Sequence, residues 1–107
     1  MRPSDMTFTP VCGGFGSQGI AAGQYSQFAR NCNMQSGGAG VWVITFPFAL
    51  PLGTYILIPG IMVSPGNVHA EFAPSGSTGG TLRVLDNTGT QFDASVCFGV
   101  WQLPASG

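Results

Sequence analysis

Gly80-Thr-Leu-Arg-Val-Leu-Asp-Asn-Thr-Gly-Thr-Gln-Phe-Asp-Ala-Ser-Val-Cys-Phe-Gly-Val-Trp-Gln-Leu103 is the stretch whose reading decides the fold. Its second half alternates. Phe92, Ala94, Val96, Phe98 and Val100 point one way, and Asp93, Ser95, Cys97, Gly99 and Trp101 point the other. Neighbouring side chains in a strand face opposite sides, so this period of two predicts a half-buried strand. Thr81–Leu85 predicts a shorter strand, with Leu82 and Val84 on one face and Arg83 on the other. Asp86-Asn87-Thr88-Gly89 lies between them. Asp and Asn bond nearby backbone and Gly89 accepts positive φ, so a hairpin joining the two strands is expected.

Working outward, the composition agrees with strands. The chain has 107 residues, enough for one domain with one core. It carries 17 Gly and 8 Pro, which cut the apolar sequence into short runs. That pattern favours an all-β antiparallel sandwich over a helical bundle. Charged residues make up only 7% of the chain, against about a quarter in an ordinary soluble domain. They are Arg2, Arg30, Arg83, Asp5, Glu71, Asp86 and Asp93, with none between Arg30 and Glu71. A surface this poor in charge is expected to be covered by other chains. The net charge of −1 and three scattered Arg give no attraction for a phosphate backbone, so nucleic acid is not an expected partner.

The rest of the chain follows in order. Residues 1–10 read as an extended N-terminal arm, because Pro3 and Pro10 exclude a helix interior. The N-terminus does not read as a signal peptide, since no apolar core follows Arg2. Cys12–Gly19 reads as a glycine-rich loop. The expected division is therefore residues 1–18 as arm and loop, and 19–107 as a single β-sandwich domain. Ile20–Met34 fits a helical stripe or a strand, and the all-β composition favours the strand. Gln35–Gly40 reads as a loop. Val41–Phe48 predicts a strand, ended by Pro47. Thr54–Ile58 predicts another, apolar on both faces, with core on one side and a partner or arm on the other. Pro59-Gly60 should punctuate it. Val41–Val63 is too broken by Pro and Gly to cross a bilayer as a helix, so no membrane is expected. Val68–Phe72 alternates again, and Pro74–Gly80 reads as a long polar loop. Seven or eight strands at about ten-residue spacing have the rhythm of a sandwich or jelly roll.

No motif for chemistry stands out. Gly14, Gly16 and Gly19 spell a dinucleotide fingerprint, but Gly23 interrupts any following helix and no acid comes near the required position. His69 and Glu71 share a strand face without a third group to complete a metal site or an acid–base pair. Asp86 and Asp93 lack the run of oxygen ligands that calcium takes. Ser and Cys lack a His partner in any nucleophile motif. No enzyme activity, metal or cofactor is expected. Cys12, Cys32 and Cys97 read as buried free thiols, with a single bridge among them left open. The interface candidates are Met6 and Phe8 on the arm, Tyr55 on the doubly apolar strand, and Trp42 and Trp101 as aromatic anchors.

Val41–Trp101 resembles small virion proteins of tailed phages. The shared pattern is an aromatic strand, Phe46-Pro47-Phe48, a Pro51-Leu52-Gly53 turn, an apolar strand, then strand–Asp86-Asn87-Thr88-Gly89–strand. Such segments occur in capsid cement or decoration proteins and in tail-fibre and baseplate modules. The resemblance implies a jelly-roll-like fold and a dimer or trimer on a virion, with an arm reaching a neighbour. The chain's length and expected arm favour a capsid cement protein, whose partners are the major capsid protein and copies of itself. A receptor-binding module for a cell-surface glycan is the alternative, with Pro74–Gly80 as a candidate glycan loop.

Overall fold

The computed structural model describes residues 7–63 and 67–104. Every regular element in it is a strand: β1 (Thr9–Gly16), β2 (Asn33–Gly38), β3 (Val41–Thr45), β4 (Tyr55–Val63), β5 (Val68–Pro74), β6 (Gly79–Asp86) and β7 (Ser95–Gln102). They form two antiparallel sheets. One has three strands in the order β1-β7-β4, and the other has four in the order β2-β3-β6-β5. Among the described residues no helix is long and apolar enough to cross a membrane.

One apolar core joins the sheets. Val96, Phe98 and Val100 of β7 and Val11 of β1 meet Met34, Trp42, Ile44, Leu82 and Val84 from the other sheet, with Phe46 and Leu50 closing one end. The alternation along β7 is what supplies this: Val96, Phe98 and Val100 are buried, and Cys97, Gly99 and Trp101 are half-buried. Each fully buried Val, Leu or Phe contributes about 1.5–3 kcal/mol.

The expected hairpin between β6 and β7 does not form, although the turn does. The Asp86 carboxylate accepts from Thr88 N–H at 2.9 Å and Thr90 N–H at 3.0 Å. The chain folds back only as far as the Leu85–Gln91 bridge, then crosses to the other sheet. The physical reason is edge occupancy. β6 is flanked by β3 and β5, and β7 by β1 and β4, so neither has an edge to offer the other. A turn motif fixes a reversal; it does not fix which strands pair.

Four other expectations change. Thr9–Gly16, assigned to the arm and its glycine-rich loop, is a strand paired along β7. Its Gly14 and Gly16 face inward, where a β-carbon on Gly14 would press on Met34 and Phe98 and one on Gly16 would collide with the Trp42 ring. Ile20–Met34, favoured as a strand, is an irregular loop as far as Cys32, with isolated bridges at Tyr25–Gln35 and Gly13–Arg30, and only Asn33 and Met34 enter β2. The Gln35–Gly40 loop instead begins with most of β2. Pro59-Gly60 does not end its strand either. β4 runs through both residues to Val63, and it lies at a sheet edge, where proline's missing N–H is tolerated.

Candidate functional site

The two sheets present different outer faces. In an antiparallel ladder, directly paired residues share a side. On the three-stranded sheet, Ile56 pairs with Trp101, Ile58 and Gly13 pair with Gly99, and Gly60 and Phe15 pair with Cys97. The outer face of this sheet is therefore made of Phe15, Ile56, Ile58, Cys97 and Trp101, with glycines between them. It carries no charged side chain. The Trp101 ring crosses Gly99 so closely that a β-carbon there would stand 2.5 Å from it. Ile58, at the free edge, is 55% exposed. Arg30 bonds Gly13 through its backbone at the opposite edge, and its guanidinium turns onto the Gln27 and Ala29 carbonyls.

The outer face of the four-stranded sheet is mixed: it carries charged and polar side chains beside Val41, Val43 and Leu85. Glu71 pairs with Arg83, Ala73 with Thr81, and Asn33 with Thr45. His69 Nε2 lies 3.9 Å from Glu71 Oε2, with both side chains more than half exposed. The His69–Glu71 pair singled out in the sequence is thus part of a solvated face. No group of three or more His, Cys, Asp or Glu side chains suited to a metal gathers among the described residues.

A groove of about 270 Å³ lies beside the apolar face, bounded by the 17–28 loop and an edge of Trp42. Gln24, Gln27 and Ser17 supply its polar groups, and Tyr25 and Phe28 its rings. The loop is fixed by its own bonds. Ser26 Oγ donates to Phe15 O at 2.5 Å, Ser26 N–H to Met34 O at 2.8 Å, and Ser36 N–H to Gln24 O at 2.8 Å. Phe28 meets Phe15 edge to face, centroids 5.9 Å apart, so the loop extends the apolar surface of the adjoining sheet.

The interface candidates from the sequence scatter. Met6 lies outside the described residues. Phe8 stands just before β1, 41% exposed. Trp42 is only 3% exposed and packs in the core, so it has little surface to offer a partner. Tyr55 faces inward, edge to face with Phe46 at 5.2 Å, and its hydroxyl is buried with no hydrogen-bond partner among the described residues. Of the four described, Trp101 alone lies on the apolar outer face. Ile56 and Ile58 went unnamed, although the doubly apolar run Thr54–Ile58 was their signal. Tyr25 and Phe28 gave none, because the irregular loop that carries them has no period. The Pro74–Gly80 loop is occupied structurally: Thr78 O and Ser77 O accept from Phe46 and Leu50 N–H at 2.8 and 2.7 Å.

No protein-family model, curated protein or solved structure matches this chain.

Proposed function

We propose that this chain is a non-enzymatic structural protein of a phage virion, most specifically a capsid decoration protein. It docks through the outer face of its three-stranded sheet onto the major capsid protein and onto copies of itself. The observation that carries the reading is that face. A sandwich that carries Glu71 and Arg83 on one outer face and leaves Phe15, Ile56, Ile58 and Trp101 on the other, uncharged, has a side built for protein rather than water. The jelly-roll-like class is supported by nested pairing, in which β1 takes β7 and β3 takes β6. The arm expected over residues 1–10 falls mostly on residues 1–6, outside the described residues.

Cryo-electron microscopy of intact particles tests the reading. Density for this chain on the capsid lattice, at a copy number set by capsid symmetry, is the expected result. Density confined to the tail, or absence from particles, would overturn it.

The loop groove favours a second reading, a module that holds a neutral sugar of a cell-surface glycan. Uncharged amides, a hydroxyl and two aromatic rings are the groups that bond and stack on a saccharide. Glycan-array binding lost on Tyr25→Ala would support this reading over cement, and an array without binding would remove it.

A further inference from the structure

Cys12 and Cys32 are brought together by backbone. Gly13 N–H donates to Arg30 O at 3.2 Å, and Arg30 N–H donates to Gly13 O at 2.8 Å. Asn31 then takes a φ of 61°, a left-handed turn that Asn tolerates better than most residues. Its Nδ2 donates to Val11 O at 2.9 Å. This turn swings Cys32 back over β1, where its Sγ lies 3.6 Å from Gly13 O. Gly13 directly follows Cys12 in β1, so the Gly13–Arg30 bridge sets the Cys32 sulfur beside the strand position that carries Cys12. Cys97, on the apolar outer face, takes no part.

We infer that Cys12 and Cys32 form a dithiol that oxidises to an intramolecular disulfide, tying the 17–32 loop to β1. The two sulfurs are unequal. The Cys12 hydrogen bond and the Gly13 and Arg30 backbone hold Cys32 below the ordinary thiol range, while the same contact drives Cys12 up. The thiolate is the attacking form of either cysteine, and the exchange can begin from Cys32. The oxidant is a small-molecule disulfide such as oxidised glutathione. Cys32 attacks one of its sulfurs, the oxidant's S–S bond breaks, and one glutathione leaves as a thiolate that takes up a proton. Cys12 then gives up its proton, attacks the Cys32 sulfur and expels the second glutathione, which is protonated in turn. Two protein thiols are oxidised and one small disulfide becomes two thiols. The S–S bond of about 2.05 Å forms between chain segments already held together by the Gly13–Arg30 bridge. The inference stands on the dithiol alone and is independent of the assembly reading.

The test equilibrates the folded, full-length protein in mixtures of oxidised and reduced glutathione. Free thiols are then counted by maleimide labelling, and linkages are mapped by mass spectrometry of unreduced peptides. The expected result is loss of two thiols of three, a Cys12–Cys32 peptide pair, and Cys97 still labelled. Protease cleavage within residues 17–32 should also slow by about tenfold on oxidation, because the linked loop opens less often. Three free thiols in oxidising mixtures, a linkage that includes Cys97, or glutathione left on Cys32 would overturn the inference. Cys97→Ser, which lies away from the pair, should form the same linkage; failure to do so would count against it equally.

Discussion

The ring of Trp42 lies against the backbone of Gly16, in the space a β-carbon there would fill. Gly16 ends β1 and Trp42 begins the core of β3, so this contact joins the two sheets where the 17–28 loop leaves the sandwich. The glycine is a packing requirement, since only its bare backbone leaves room for the indole.

Gly16→Ala should therefore destabilise the fold by about 1–3 kcal/mol, the usual cost of overpacking. Gly60→Ala makes a fair control. Its β-carbon would meet only Cys97 Sγ, at 3.2 Å on the outer face, and should cost less. Urea unfolding of both variants gives the comparison. Equal stabilities would contradict the packing account.

Tyr55 offers a gain. A buried hydroxyl without a partner carries a desolvation cost, so Tyr55→Phe should stabilise by about 1 kcal/mol. Burial also pushes its phenol up. The neutral form is then favoured in the folded state, and the unfolded chain loses its proton first as pH rises. Stability should be full below the ordinary phenol range and decline through it, and Tyr55→Phe should flatten that decline. Unfolding midpoints measured across the alkaline range would show both effects.

Much of the fold was legible because burial imposes a period. The β7 alternation, the strands at Val41–Thr45 and Val68–Phe72, and the all-β class follow from side chains that must face one core. The pairing was not legible. Asp86–Gly89 has sound turn chemistry, but strand partners depend on which edges are free, a property of the whole sheet. The glycines of β1 were misread for a similar reason. Gly14 and Gly16 resemble a loop in sequence, whereas their small size answers to Met34, Phe98 and Trp42, all distant along the chain. At the candidate interface, the doubly apolar run of β4 was visible, but the partners that complete the face, Phe15 and Trp101, come from strands aligned only by the fold.

Asp86 should give the protein an acid-sensitive step. The Thr88 hydroxyl, at 2.6 Å, and the Thr90 and Thr88 N–H groups hold its carboxyl below the ordinary range. Its contribution is complete above the normal carboxylate range and is lost as pH falls through the depressed value. Asp86→Asn keeps an acceptor oxygen but removes the charge, so part of that acid dependence should disappear. Asp86→Ala removes the cap as well and should lower the unfolding midpoint further at neutral pH. Thermal scans from neutral to acid pH would distinguish the two variants.

The central claim is that other protein covers the outer face of the three-stranded sheet. Sedimentation velocity of the wild type beside Ile58→Glu tests it most directly. Ile58 is exposed, so the substitution should leave the unfolding midpoint nearly unchanged. The account predicts a dimer or trimer for the wild type at micromolar concentration and a monomer for Ile58→Glu. A wild type that sediments as a dispersed monomer, or a variant that assembles as well as the wild type, would contradict it.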